Sequence, residues 1–176
     1  MTDTGKAFIS TARALLRGDY LPKIEQCLER LTDDQIWWRP NSESNSIGNL
    51  VLHLGGNARQ WIVSGVGGAS DARVRSQEFA ERSLIPRAEL VKGLSQAVTD
   101  VDAVLAQLDL ATLLEQRHIQ SCEVSVLDAI FHVVEHFSMH TGQIILLTKM
   151  ITGSDLAFYD FSGGAPVPSW DRKSGP

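Results

Sequence analysis

Apolar residues recur at steps of three and four through most of this chain, and that spacing admits little besides packed helices. Leu90, Leu94, Ala97, Val101, Leu105 and Leu108 form one long seam. Leu21, Ile24, Leu28 and Leu31 form a second, and Ile47, Leu50, Leu54, Ala58 and Trp61 a third. Residues so spaced share one face of a helix, and a face of that width has to be buried against other helices. No segment alternates clearly at period two, as a half-buried strand would, and no internal repeat is visible. The chain therefore reads as all-α, with long helices over about 6–31, 45–65, 86–108 and 125–152. Four such helices with short-to-medium links make a helix bundle.

Local signals punctuate this pattern. Pro22 is expected to kink or divide the first helix. Thr32-Asp33-Asp34-Gln35 has the form of a capping box and starts a short turn that carries Trp37 and Trp38 and ends at Pro40. Asn45 or Ser46 caps the next helix, which Gly65, Gly67 and Gly68 end. Residues 66–83 are polar and glycine-containing and read as a loop. Pro86 suits a first helical turn. Residues 109–124 read as an irregular link, Ser125-Val126-Leu127-Asp128 as a second capping box, and Gly153 as the stop of the last helix. The three tryptophans named so far, Trp37, Trp38 and Trp61, read as packing residues.

A length of 176 residues suits one domain: a bundle over 1–153 and a tail over 154–176. Gly163, Gly164, Pro166 and Pro168 make the tail non-helical. Its Phe158, Tyr159, Phe161 and Trp170 are too apolar to be solvated, so it is expected to pack on the bundle or on a second subunit.

Charge and composition exclude several classes. A formal charge of −5 supplies no basic field to recruit nucleic acid, and there is no basic recognition helix. No run approaches the ~20 apolar residues of a membrane span. Cys27 and Cys122 form neither a CxxC pair nor a zinc-ribbon spacing and read as small buried residues. Few cysteines and no signal-peptide pattern lead to the expectation of a reducing, cytoplasmic setting.

The chemistry lies in the histidines. His136 and His140 are four apart, hence one turn apart on one helix face. At roughly 100° per residue they cluster with Gln143 beside the apolar arc of Ile130, Val133, Val134, Phe137 and Ile144, and His132 borders them. The same stepping puts His53 and Asn57 beside the Leu50–Leu54–Trp61 stripe. All of these face the bundle interior or its mouth. Burial keeps imidazole neutral and able to ligate, and three histidines with an open fourth position describe a catalytic rather than a structural metal site. Spacing alone leaves a packing role open, since an interior histidine is commonly a hydrogen-bonded core residue. His132-Val133-Val134-Glu135-His136 also matches the H-x-x-E-H form of inverted zinc peptidases. No glutamate follows Glu135, and Glu135 points roughly 120° away from the mid-line of His136 and His140, which argues against that reading.

Three segments carry a resemblance to a known family. Ser46-Ile47-Gly48-Asn49-Leu50-Val51-Leu52-His53-Leu54, with Asn57 and Trp61 after it, resembles the second helix of the DinB/YfiT-like superfamily. Glu135-His136-Phe137-Ser138-Met139-His140-Thr141-Gly142-Gln143 resembles that family's last ligand helix, of the form H-x-x-x-H-x-G-Q. Gln35-Ile36-Trp37-Trp38-Arg39-Pro40-Asn41 is similar to the segment before the first ligand helix. The resemblance covers about residues 5–153. It implies a four-helix bundle in up-down-down-up order and a divalent metal held by His53, His136 and His140. Characterised relatives include a mycothiol-dependent maleylpyruvate isomerase and bacillithiol S-transferases; exposed apolar surface on two helices would fit a homodimer, which related bundles often form.

Two functions follow as expectations. In the first, an enzyme binds zinc or nickel, or else iron, cobalt or manganese, at the three histidines. Its ion activates a low-molecular-weight thiol, or water, for S-transfer to or hydrolysis of a small molecule. His132 and Gln143 orient the nucleophile, and Asn57 supports the ligands. In the second, the chain is a non-catalytic metal-binding or stress-related dimeric bundle, distinguished by a blocked fourth position.

Overall fold

The computed structural model describes residues 2–174. Among them, four long helical stretches carry the core. The first runs without a break through α1 (Thr2–Leu15), a π-helical turn (Leu16–Tyr20) and α2 (Leu21–Glu29). It begins earlier than the apolar pattern predicts. Pro22, in the first turn of α2, neither divides it nor ends it. A proline has no N–H for the carbonyl four residues back and crowds it, and the widened π turn just ahead takes up that crowding. The affected carbonyl is that of Gly18, and it accepts instead from the indole N–H of Trp170 at 3.1 Å.

The short α3 (Asp33–Trp37) starts at the Thr32 capping box, as its sequence predicts. Trp37 is buried, whereas Trp38, expected to pack, is 43% exposed. The second long stretch joins α4 (Ile47–Ala58) to a π-helical segment (Arg59–Val66). Ser46 caps it: its hydroxyl accepts from the Asn49 N–H, and Asn49 Oδ1 accepts from the Ser46 N–H, both at 3.2 Å. The stretch does not stop at Gly65. A Cβ there would collide with the side chain of Ile119, so this glycine allows a close approach rather than an ending.

Two departures from the sequence reading follow. Residues 66–83 are not all loop, because Arg75–Ala80 form a helix, α5. The third long stretch, α6 (Arg87–Ala106), has Pro86 as its N-cap and ends before Leu108, which packs on the core from outside the helix. A 3-10 turn (Leu110–Leu114) leads into the second departure, an antiparallel hairpin of β1 (Gln116–Ile119) and β2 (Cys122–Ser125), with Gln116 opposite Ser125 and Ile119 opposite Cys122. Its turn residues, Gln120 and Ser121, have φ of 51° and 65°. Asn-Gly usually fills such a turn, and its absence hid the hairpin in the sequence.

The fourth stretch is α7 (Val126–Thr152). The Ser125 capping box starts it and Gly153, at φ 63°, ends it in the left-handed conformation, both as the sequence predicts. α4 packs on α6 and α7, and α2 packs on the same two helices. Ile24, Leu28, Leu54, Leu94, Val133, Phe137 and Ile144 are all buried where they meet. Cys27 lies in this core, and burial pushes its thiol up to about 11. Cys122, expected to be buried, is exposed on the hairpin, and both thiols are free.

Beyond Gly153 there is no α-helix among the described residues. A two-residue pairing of β3 (Tyr159–Asp160) with β4 (Val167–Pro168) leads to a 3-10 turn (Ser169–Ser174), the one helical element of a segment read as non-helical. This segment lies along the first stretch. The Tyr159 hydroxyl donates to Asp19 at 3.0 Å, and Arg30 donates to the Leu156 carbonyl at 3.1 Å. No helix among the described residues is long and apolar enough to cross a membrane.

Candidate metal centre

α4 presents His53 and α7 presents His136 and His140, where the two helices pack together. The rings meet pairwise, with centroids 4.8 Å apart for His53–His136, 5.2 Å for His53–His140 and 4.5 Å for His136–His140. One nitrogen from each ring lies within 4.8 Å of the others. Three nitrogens bound to one tetrahedral zinc are about 3.3 Å apart, so ring shifts on the order of 1 Å bring these three onto a single ion.

The hydrogen bonds fix which nitrogens are free. His140 Nδ1 donates to Gln143 Oε1 at 2.7 Å, three residues along the same helix, which leaves Nε2 with its lone pair. His53 Nδ1 faces Glu78 Oε2 at 2.8 Å. The same nitrogen lies 3.1 Å from Arg73 Nη2, which only donates; the shorter contact is to a carboxylate, which only accepts when ionised, and it is met with the proton on Nδ1 and Nε2 free. His136 Nε2 is buried and has no hydrogen-bond partner in the protein. A buried imidazole nitrogen without a partner beside two free ones is a donor set that fits a divalent cation.

Burial favours the neutral form of His136, His140 and the neighbouring His132. Burial, and then the neighbouring His140, His53 and His132, push His136 down to about 3 from its ordinary 6.5. Burial also lowers His140, against the hydrogen bond to Gln143. For His132 burial again dominates, partly opposed by Glu135. Neutral imidazoles are ready to ligate without first losing a proton.

The other sequence candidates take distinct places. Gln143 contacts His140 directly. Asn57 is buried; its Nδ2 lies 3.3 Å from His132 Nε2, and its Oδ1 has no hydrogen-bond partner in the protein. His132 is stacked on Trp61, with centroids 3.9 Å apart, and stands 5.4 Å from the His136 ring. Glu135 is exposed and outside the cluster, so the inverted-peptidase arrangement is not formed.

Two residues of the site were missed in the sequence: Glu78, on α5, and Arg73, just before it. Arg73 clamps the Glu78 carboxylate through Nε at 2.7 Å and Nη2 at 2.9 Å. Arg73 Nη1 also donates to Gln60 Oε1 at 2.9 Å, and Gln60 donates to Asp71 at 2.7 Å. Burial would push the Glu78 carboxyl up, but Arg73 and His53 outweigh it and hold it below the ordinary range. Phe79, the next residue, lies against His53 with centroids 4.5 Å apart. A lone aromatic in an otherwise polar segment was the available hint. Periodicity says nothing about a helix this short.

Comparison with solved structures places this architecture. It is similar to the crystal structure of a conserved protein from Enterococcus faecalis, with a TM-score of 0.71 and 14% identity over 82% of this chain and 97% of that one. It is also similar to a DinB-like protein from Bacillus cereus ATCC 10987, with a TM-score of 0.60 and 16% identity over 75% of this chain and 85% of that one. At such identities the likeness is one of fold, and the fold is DinB-like. A comparison with curated proteins finds no match. The model of the family described as "Protein of unknown function (DUF1572)" matches residues 3–162, nearly the whole chain, and the chain belongs to that family.

Proposed function

We propose that this protein binds one divalent metal ion through His53, His136 and His140 and is an enzyme acting on a small molecule, by thiol transfer or by hydrolysis. The observation that carries the reading is the convergence of three imidazoles, one of them with a buried, unpartnered nitrogen. A bound divalent ion, zinc or nickel by preference for such a donor set, supplies Lewis acidity that makes a water or a low-molecular-weight thiol nucleophilic near neutral pH. The chain's own groups do the rest. Gln143 holds the proton on His140 Nδ1. Asn57 Nδ2 donates to His132 Nε2 and so holds that ring beside the ligands, where His132 orients the nucleophile. The up-down-down-up helix order, a cytoplasmic setting and a homodimer belong to the same proposal. Exposed Phe131, Met139, Leu146 and Met150 on α7 support the dimer, which sedimentation would test.

The direct test is turnover of thiol plus electrophile, and of activated esters, by metal-loaded protein. His140→Ala should lower the rate at least a hundredfold, and full activity in that variant contradicts the role.

One observation favours the non-catalytic reading. The segment carrying Arg73, Glu78 and Phe79 covers the His53 side, and the side chains of His53, Arg73 and Glu78 are only 5%, 5% and 11% exposed. If the fourth position is closed, small anions such as azide will not perturb the spectrum of the Co2+-loaded protein. A spectral change on adding azide supports the enzyme.

A further inference from the structure

We infer that Glu78 is a positioning residue of the metal centre: it holds His53 in the tautomer that ligates, and Gly56 is the clearance that lets it do so. This rests on the three-histidine reading above. A carboxylate on the far nitrogen of a ligating histidine fixes the ring's orientation and raises its basicity. Glu78 stands in that relation to His53, with Oε2 2.8 Å from Nδ1.

Three separate features keep it there. Arg73 grips both carboxylate oxygens, so the glutamate is held at the outer edge of the ring and does not turn inward to compete as a ligand. Arg73 Nη2 also lies within hydrogen-bond reach of His53 Nδ1, at 3.1 Å; an arginine only donates, so this contact favours the opposite tautomer, and it is the closer, accepting carboxylate at 2.8 Å that we infer keeps the proton on Nδ1. Asn49, fully buried in the α4 capping box, donates to the main-chain carbonyls of Glu78 at 2.8 Å and Glu81 at 3.2 Å, which anchors α5. Gly56 sits three residues after His53 on the same helix. A Cβ at Gly56 would collide with the Glu78 carboxylate and come within 3.0 Å of Arg73 Nε. Glycine weakens a helix interior, and here it clears the space that the carboxylate occupies.

A purely structural ion pair would fasten the segment without caring about the His53 ring, so the test reads the ring. In metal-free wild-type protein, long-range 1H–15N spectra of the histidine rings should show His53 as a single Nδ1–H tautomer. Glu78→Ala should lose that preference. Titration with Co2+, followed by absorption, should show affinity falling about 10–100-fold in Glu78→Ala. The fall should be smaller in Glu78→Gln, whose amide oxygen still accepts and whose shape protects the fold. Gly56→Ala, with the glutamate intact, should lose affinity much as Glu78→Ala does. If wild type binds Co2+ while Glu78→Gln and Gly56→Ala bind it equally tightly and keep the tautomer, Glu78 is only a fastener and the inference is overturned. A wild-type protein that takes up no Co2+ overturns the three-histidine reading itself, and this inference with it.

Discussion

His136 concentrates the electrostatic cost of this fold. Its ring is half-buried among other imidazoles, and its pKa of about 3 in the folded protein lies well below the ordinary 6.5. The sign of the consequence is fixed. Above pH 6.5 the ring is neutral folded and unfolded, so it sets no pH dependence. As pH falls below 6.5 the unfolded chain takes up a proton that the folded chain refuses until about pH 3. Stability is therefore lost across that window, by up to about 1.4 kcal/mol per pH unit for one proton. His140 and His132 act in the same direction. Glu78, held below its ordinary range, adds its own loss only at lower pH, as the carboxylate protonates. Denaturation midpoints of metal-free protein should fall from pH 7.5 to pH 5, and less so in His136→Asn. A flat profile would mean that these rings are more open to water than the structure places them.

At the scale of elements, the signals that worked were those in which local chemistry and fold agree. Thr32 and Ser125 cap helices because their hydroxyls meet the third backbone N–H along the helix, and that is written into four residues. Ser125→Ala should cost about 1 kcal/mol in chemical denaturation. Metal affinity should hold, since the nearest ligand, His136, lies three turns further along α7. The histidine faces were legible for the same reason: α7 is long and regular, so stepping along it puts His136 and His140 together. What was not legible depends on tertiary contact. α5 is too short to show a period, and it exists because Asn49 and His53 on another helix hold it. The β1–β2 hairpin turns on Gln120 and Ser121, residues that do not announce a left-handed turn. Ile119 docks it where Gly65 leaves room. Asn57 illustrates the limit of face arguments, because a shared helix face placed it near His53 but its amide reaches His132 instead.

For the whole molecule, four amphipathic helical stretches bury one core and bring α4 and α7 together with their histidines facing each other. The same packing that stabilises the bundle pre-places the three imidazoles, so on the proposed function metal binding and stability are linked. A ligand that binds only the folded state adds about 2.7 kcal/mol at a hundred times its dissociation constant. The metal-loaded protein should accordingly melt several degrees higher, and chelator should reverse the shift. The most direct measurement is calorimetric titration of chelator-treated protein with Zn2+. One ion per chain should bind, and His53→Ala, His136→Ala and His140→Ala should each abolish or greatly weaken that binding while circular dichroism still reports a helical fold. No saturable uptake by wild type, or uptake undiminished in all three variants, would contradict the account.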